Sequence, residues 1–210
     1  MSNFWKKINI LSENYPQYLK GEENCWYARD YISGGGIEGE ANQLVLNFKK
    51  SIDRKGTNQW HYRDRAVSQF ARELAHLLGD NPFHVMAIPG SKPWSHLENN
   101  QRFQDLFKEL KRHRMNLTVH WPIDCQNAVT GSSQGGTRSP DQIKSNYIWR
   151  GLKNEINQIV IVDDVITSGA HFRACVDFLR ENGFQGEIFG FFWAKTKSKD
   201  PFSDFDVVEL

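Results

Sequence analysis

Two adjacent carboxylates, Asp163 and Asp164, follow a run of branched aliphatic residues over 159–162. Such a run is typical of a strand that is covered on both faces of a sheet. In parallel sheets, ligands bind beyond the carboxyl ends of the strands. Two carboxylates at that position can each accept a hydrogen bond from the neighbouring 2′ and 3′ hydroxyls of a ribose. The acid pair therefore predicts a sugar-binding site at a strand end.

A loop of small residues follows the acids: Thr167, Ser168, Gly169, Ala170 and His171. We expect a helix to begin here, so unpaired backbone N–H groups and the helix dipole favour a phosphate. The hydroxyls of Thr167 and Ser168 add donors, and Gly169 allows the backbone to approach the ligand closely. The acids and the loop together predict a site for a phosphorylated sugar.

Other uses of an apolar strand that ends in acids fit the sequence less well. The magnesium-side strand of a P-loop NTPase requires a GxxxxGK[ST] loop, and the sequence contains none. A receiver domain carries its acidic pair after the first strand, whereas this pair lies near the C-terminus. An Asp that caps the following helix accounts for only one of the two acids.

The elements that must position these residues alternate along the chain. Amphipathic periodicity predicts helices over residues 65–78, 101–114 and 170–182. Short apolar runs predict strands over residues 43–48, 83–88, 117–121, 159–162 and 187–194. This alternation indicates an α/β fold with a mostly parallel central sheet flanked by helices. Residues 1–40 are expected to be irregular and to form a separate segment, with the domain over residues 41–210.

Composition limits the class of protein. The 210 residues carry a net charge of +1, so charge does not indicate a nucleic-acid partner, and the basic stretch 108–114 fits a solvated helix face. No apolar run approaches the roughly 20 residues of a membrane span, and the N-terminus lacks signal-peptide features. The cysteines, Cys25, Cys125 and Cys175, are too widely spaced to indicate disulfides or a zinc site. We therefore expect a cytoplasmic protein with reduced thiols and no membrane association.

Residues 159–171 resemble the phosphoribosyl pyrophosphate (PRPP) signature of the type I phosphoribosyltransferases. That signature has four apolar residues, two acids, two apolar residues, small hydroxyl residues, Gly, any residue and usually Thr. In this chain His171 stands at the last position. Further stretches between residues 42 and 195 are similar in order and spacing to the competence-protein-F-like branch of the family. That branch usually begins with a four-cysteine zinc ribbon, a pattern that this sequence does not contain.

The resemblance implies a type I phosphoribosyltransferase-like fold and a reaction in which an acceptor nitrogen displaces pyrophosphate from C1 of PRPP. It assigns Asp163 and Asp164 to catalysis and ribose binding, and residues 167–171 to the ribose and its 5′-phosphate. Mg²⁺ is the expected cofactor, bound mainly through substrate oxygens rather than by a protein cage. Proteins of this family are commonly homodimers, so a homodimer is an open possibility here.

The leaving pyrophosphate needs a second cradle, and the turn after the strand over 83–88 is the best candidate. Gly90 and Ser91 suit a tight turn and Lys92 supplies a cation, while an ordinary turn with an exposed Lys is the alternative. The polar loop over residues 124–142 resembles the flexible lid that closes over PRPP. Within that lid Arg138 is the candidate pyrophosphate contact, and Arg150 is a weaker one.

The acceptor is not indicated by the sequence. We expect a small hood, formed by residues 1–40 or by residues 198–210, in which Trp26, Trp94 or Trp193 stacks on a base unless it packs in the core. Three functions stay open. They are an active Mg²⁺-dependent phosphoribosyltransferase, a sensor of PRPP or a nucleotide that acts through a protein or nucleic-acid partner, and a protein-interaction platform. The intact acid pair favours the enzyme, and His171 favours the sensor.

Overall fold

The structure of the protein is a computed structural model that describes residues 5–12, 14–21, 23–34, 39–99, 101–129, 139–153 and 156–197. Its strands, numbered along the chain, are β1 (Lys6–Lys7), β2 (Asn24–Ile32), β3 (Phe83–Ala87), β4 (Leu117–Val119), β5 (Ile123–Cys125), β6 (Tyr147–Trp149), β7 (Gln158–Ile166) and β8 (Glu187–Lys197). Its helices are α1 (Glu40–Phe48), α2 (Trp60–Leu78), α3 (Arg102–His113), α4 (Pro140–Lys144) and α5 (Ala170–Glu181), with a 3₁₀ turn at Ile52–Arg54.

Six strands form the central sheet in the order β1-β2-β8-β7-β3-β4, and β5 pairs with β6 in a separate hairpin. Every neighbouring pair in the central sheet is parallel except β1 and β2. The fold is therefore mixed α/β with a mostly parallel central sheet flanked by helices, as the alternation of elements predicts. Among the described helices, none combines the length and the apolar character needed to cross a membrane.

The alternation of side chains along β7 divides the core into two layers. Val160 and Val162 pack with residues of α2 and α3 on one face of the sheet. Ile159 and Ile161 pack with residues of α5 on the other face. The four aliphatic residues are essentially excluded from solvent, which explains why this strand reads as a continuous apolar run.

Most of the elements expected from the sequence are confirmed, with shifted ends. Three predicted helices correspond to α2, α3 and α5, and α2 begins earlier, at Trp60. The strands predicted over 83–88, 117–121 and 187–194 correspond to β3, β4 and β8. The strand predicted over 159–162 is longer than expected, because β7 continues through both aspartates to Ile166.

The strand predicted over residues 43–48 is wrong, because this stretch belongs to helix α1. Asn42, Val45 and Phe48 are its buried residues, at the three-residue spacing of a helix face. The Asn42 side chain also bonds the backbone N–H and C=O of Ile32, which ties α1 to the end of β2. The consecutive apolar residues 44–46 hide this period in the sequence.

The expectation that the first forty residues are irregular is also wrong, because β2 is a nine-residue strand within the central sheet. Its parallel register with β8 pairs Asn24 with Phe189 at one end and Ile32 with Lys197 at the other. Cys25 and Ala28 are its buried hydrophobic residues, whereas several polar side chains remain partly exposed. The division of the chain at residue 40 stays a prediction, although β2 and β8 pair across it.

Candidate functional site

The candidate site lies at the carboxyl edge of the sheet, where β3 ends beside the middle of β7. The two strands are parallel neighbours, with Ala87 opposite Val162. Beyond the strand the backbone N–H of Ile88 donates to the Val162 carbonyl at 3.1 Å. The turn at Pro89 to Lys92 therefore begins next to the acid pair, at the carboxyl edge where parallel sheets bind ligands.

Asp163 and Asp164 lie inside β7 rather than after it, which corrects their expected position at a strand end. Consecutive side chains of a strand point to opposite faces of the sheet. Asp164 accordingly reaches cations from α1 and α3. Asp163 acts electrostatically on Tyr147 and Cys175, which pack on the α5 face. In this ligand-free arrangement the two carboxylates therefore point to opposite faces of the sheet.

Asp164 is buried, with a side chain only 4% exposed, and two cations neutralise it. Its Oδ1 lies 3.0 Å from Lys49 Nζ, directly after α1, and its Oδ2 lies 3.0 Å from the Arg102 guanidinium in the first turn of α3. Burial acts to raise the pKa of Asp164, but Lys49 and Arg102 outweigh it and hold the pKa below its ordinary value. Asp164 is therefore a carboxylate at neutral pH.

Asp163 has the opposite ionisation behaviour. Its side chain is half-buried, and its Oδ1 accepts the backbone N–H of Asp164 at 2.8 Å. Burial and then the neighbouring charge of Asp164 raise the pKa of Asp163 to about 7. Two adjacent acids with divergent pKa values are typical of functional sites, because one can exchange a proton while the other keeps its charge.

The loop over residues 167–171 is in contact with the N-terminal part of the chain. Gly169 precedes α5 with φ of 79°, a conformation that favours glycine, and the helix has no side-chain N-cap bond. A Cβ at Gly169 would lie 3.4 Å from Pro16 and from Leu19, so these residues cover that side of the loop. The backbone N–H of Tyr18 also donates to the Ser168 carbonyl at 2.9 Å.

Side-chain contacts fix the same loop at other points. The hydroxyls of Thr167 and Thr196 lie 2.7 Å apart, which joins the end of β7 to β8. The Ser168 hydroxyl accepts the Ala170 N–H at 3.4 Å. His171 is half-buried in the first turn of α5. These five residues thus form the connection from β7 to the first turn of α5, and their role in phosphate binding stays a prediction.

The turn predicted to hold pyrophosphate is anchored from the β5–β6 hairpin. The Cys125 thiol donates to the Gly90 carbonyl at 2.9 Å, and the Val129 N–H donates to the Ser91 carbonyl at 2.8 Å. Lys92 forms an ion pair with the exposed Glu98. This pairing holds the pKa of Glu98 below its ordinary value. The Lys92 cation therefore has a carboxylate partner in the absence of a ligand.

Of the two arginines proposed from the lid region, only Arg150 lies within the described residues. Its guanidinium lies 3.0 Å from the buried Asp124, whose other oxygen accepts the backbone N–H groups of Trp94 and Cys125. Arg150 thus supports the turn after β3 indirectly. Arg138 lies outside the described residues, together with residues 130–137 of the predicted lid and with the C-terminal stretch proposed as a hood.

A cavity of about 480 Å³ opens beside the turn, on the α1 and α3 side of the sheet. Gly90, Ser91 and Lys92 line it, which brings the three described pyrophosphate candidates to one wall. Lys49 and Arg102 line it as well. Sequence reasoning missed these two cations. Lys49 follows a stretch that was predicted as a strand, and Arg102 begins a helix whose partners are distant in sequence.

The three tryptophans proposed for base stacking lie in different environments. Trp193 is fully buried and stacks on Phe70 at a centroid distance of 4.6 Å, so it is a core residue. Trp26 contacts Phe191 edge-on within the sheet layer. Trp94 lines the cavity together with Trp121. Among the three, Trp94 is the residue that the cavity brings close to the candidate turn.

No protein-family model matches the chain, and no curated protein matches it. Within the described ranges, no group of three or more His, Cys, Asp or Glu side chains is arranged to hold a metal ion. The three cysteines, Cys25, Cys125 and Cys175, are free and buried. The fold, the acid pair and the two loops are therefore the observations from which a function must be argued.

Proposed function

We propose that the protein binds PRPP or a related nucleotide at the carboxyl edge of the neighbouring strands β3 and β7, as a phosphoribosyltransferase-type protein. The observation that supports this most directly is that two loops follow neighbouring parallel strands at the carboxyl edge of one sheet. One follows β3 and contains Gly90, Ser91 and Lys92. The other follows β7 and leads into α5. A ligand with a phosphate at one end and a pyrophosphate at the other needs two such cradles.

Each cradle has a chemical role in this proposal. The loop over residues 167–171 receives the 5′-phosphate at the start of α5, where backbone donors and the helix dipole favour an anion. The turn at Pro89 to Lys92 receives the pyrophosphate, whose developing charge Lys92 offsets as the bond to C1 breaks. Asp163 accepts a hydrogen bond from a ribose hydroxyl between the two loops, and Asp164 does so once Lys49 and Arg102 have moved away from it.

Carboxylate oxygens are the donor type that suits Mg²⁺. Asp163 would offer one at the sheet edge, and the ion would be held mainly by oxygens of the substrate. When bound, Mg²⁺ supplies charge neutralisation of the pyrophosphate as it leaves. Lys92 and the backbone of the turn hold the same group from the protein side.

Calorimetric titration of PRPP, with and without Mg²⁺, tests the proposal. Wild-type protein is expected to bind PRPP in a Mg²⁺-dependent manner. The Asp163→Asn/Asp164→Asn double change should weaken binding by at least about tenfold, because hydrogen bonds to charged groups contribute about 1.5–3 kcal/mol each. A pyrophosphate-release assay with a panel of nitrogen acceptors then measures transfer.

The matched control removes two charges from exposed side chains. Asp80 and Asp141 are 96% and 88% exposed, so Asp80→Asn/Asp141→Asn makes the same charge change away from the site. PRPP affinity should be retained in this control. Equal affinity in wild type and in Asp163→Asn/Asp164→Asn, or no binding of PRPP to the wild type, would contradict the proposal.

A second function, a PRPP or nucleotide sensor, is favoured by one observation. Asp164 is already paired with Lys49 and Arg102, and Pro16 and Leu19 lie against the phosphate loop. A ligand that uses these groups must rearrange α1, α3 or the N-terminal segment, and such a rearrangement can be read by a partner. Hydrogen exchange should then change on PRPP binding at residues 15–19 and 49, with no pyrophosphate release for any acceptor.

A further inference from the structure

The cavity beside the candidate turn has more positive charge than the turn alone accounts for. Lys49, Lys92 and Arg102 line it and come from three separate elements of the chain. The acids that line it are Asp53 and Glu98, with side chains 64% and 66% exposed. Lys92 pairs with Glu98, which is exposed to solvent, and the other two cations pair with the buried Asp164. An anionic ligand that takes the place of these carboxylates therefore suits the cavity.

Two of these cations contact both the cavity and the buried Asp164. Lys49 and Arg102 line the cavity, and each also lies 3.0 Å from an oxygen of the buried Asp164. The Nε atom of Arg102 is buried and has no hydrogen-bond partner among the described residues. The donors of Arg102 are thus incompletely used in the ligand-free protein, although buried donors are normally paired.

The rest of the cavity wall includes aromatic side chains. Trp94 and Trp121 line it, and their rings meet edge-on with centroids 5.8 Å apart. Phe103, in the first turn of α3, lines it next to Arg102. Aromatic walls and a few converging charges are typical of pockets for small organic molecules, and about 480 Å³ is within the usual size range.

We propose that this cavity binds a small aromatic carboxylate, and that the carboxylate draws Lys49 and Arg102 away from Asp164. The first half needs only the cavity. The second half rests on the proposed function, because Asp164 released from its cations becomes available to the ribose of PRPP. Binding of the aromatic carboxylate and of PRPP should then be mutually favourable, since coupling between two sites is reciprocal.

Saturation-transfer NMR and calorimetry with benzoate and 2-naphthoate test the first half on the full chain, with benzamide and 2-naphthamide as neutral counterparts. We expect the carboxylates to bind with dissociation constants of about 0.1–10 mM, the range for ligands of this size. The amides should bind at least about tenfold more weakly, since they lack the charge that the cations recognise. Equal binding of carboxylates and amides, or no binding of either, would overturn the proposal.

Variants identify the cations. Lys49→Met and Arg102→Met should each weaken benzoate binding by about tenfold. Lys111→Met, on the exposed part of the same α3 helix and outside the cavity, should leave the affinity unchanged. If Lys111→Met weakens binding as much as Arg102→Met does, the effect is one of net charge and the assigned site is wrong.

Because Asp164 and the ligand use the same two cations, removal of Asp164 should strengthen ligand binding, whereas removal of either cation weakens it. Asp164→Asn should tighten benzoate binding severalfold, because Lys49 and Arg102 no longer have a carboxylate to leave. Unchanged or weaker binding in Asp164→Asn would overturn the sharing. The Lys49→Met/Asp164→Asn variant also lacks the Asp164 charge, so weaker benzoate binding there than in Asp164→Asn alone reports the loss of Lys49 and not an unpaired Asp164.

A last titration separates this inference from the proposed function. PRPP is titrated with and without saturating benzoate, and its affinity should rise severalfold in the presence of benzoate. If PRPP does not bind but benzoate behaves as described, the proposed function fails and the cavity assignment stands. If PRPP binds equally well with and without benzoate, the coupling fails and the proposed function stands.

Discussion

The ionisation of Asp163 makes a testable contribution to stability. Its pKa is about 7 in the folded protein, whereas an unperturbed Asp has a pKa of about 3.9. Between these values the folded state holds a proton that the unfolded state has lost. The unfolding free energy should therefore fall as the pH rises from about 4 to 7. Asp163→Asn removes this pH-dependent contribution and keeps an oxygen that can accept the Asp164 N–H.

We expect Asp163→Asn to be more stable than wild type by roughly 1–3 kcal/mol at pH 8 and equal to it near pH 4. Urea unfolding across this pH range measures the difference. Asp80→Asn, at a 96% exposed position, should show no such pH dependence relative to wild type. A stability difference for Asp163→Asn that stays constant from pH 4 to pH 8 would show that Asp163 ionises normally.

The ionisation of His120 makes the protein less stable as the pH falls, which is the opposite of the effect of Asp163. Its Nε2 lies 2.9 Å from Nδ1 of His84, and burial, then the charges of His84 and Lys153, lower the pKa of His120 to about 4. In the unfolded state His120 takes up a proton near pH 6.5, whereas in the folded state it does so only near pH 4. Stability is therefore lost as the pH falls through this window.

His120→Gln places an amide near the Nε2 position and cannot take up a proton. Relative to wild type, it should gain stability as the pH falls from 6.5 to 4, by up to roughly 2–3 kcal/mol. Thermal unfolding at a series of pH values follows this change. The matched control is His113→Gln, at a position 36% exposed at the end of α3; a pH-dependent gain of the same size there would rule out a specific effect of the buried pair.

At the scale of elements, the close packing of α5 and β2 on β8 depends on Gly190. A Cβ at this position would lie 2.8 Å from the Cys25 sulfur and 2.9 Å from the rings of Phe172 and Phe192. Two of these neighbours belong to elements that hold the candidate phosphate loop and the sheet together. Gly190→Ala should therefore destabilise the protein by about 1–3 kcal/mol, the usual cost of overpacking a core.

Gly90→Ala is the control for this substitution, because a Cβ at Gly90 meets no atom within 4 Å and its φ is not positive. Its stability should remain within about 0.5 kcal/mol of wild type. Denaturant midpoints of the two variants give the comparison. Equal midpoints for Gly190→Ala and wild type would mean that α5 shifts freely on the sheet.

The sequence predicts elements well where hydrophobic spacing and packing agree. The apolar residues of α2, α3 and α5 recur at helical spacing, and those helices are confirmed. The run that forms α1 has consecutive apolar residues, so its period is ambiguous without the Asn42 contact to Ile32. The strand β2 was missed because its polar residues lie near an edge of the sheet, where β1 is only two residues long.

Some residues of the candidate site are likewise indicated by the local sequence, and others are not. The acids and both loops are contiguous in sequence, so their composition and order indicate them. Lys49 and Arg102 meet Asp164 from positions 115 and 62 residues away (164 − 49 and 164 − 102). No local pattern records an ion pair between such distant residues. It results from the packing of α1 and α3 on one face of the sheet.

At the scale of the whole molecule, the two ends of the described chain form one sheet. β2 lies parallel to β8 from Asn24 to Ile32, and β1 adds to its outer edge. Trp5 belongs to the same core cluster as α2, and its indole donates to the Glu73 carbonyl at 3.3 Å. Removal of residues 1–40 would expose the edge of β8 and would take the buried Trp5 and Cys25 out of the core.

We therefore expect a chain of residues 41–210 to lose cooperative unfolding. Urea titration followed by both fluorescence and circular dichroism should give transitions that do not coincide. A peptide of residues 1–40, added in trans, should restore a single transition, because the parallel pairing of β2 with β8 supplies the missing edge. If residues 41–210 alone unfold in one coincident transition that the peptide does not shift, the chain divides at residue 40 into independent parts. The loop over residues 167–171 would then be stable without Pro16 and Leu19 beside it.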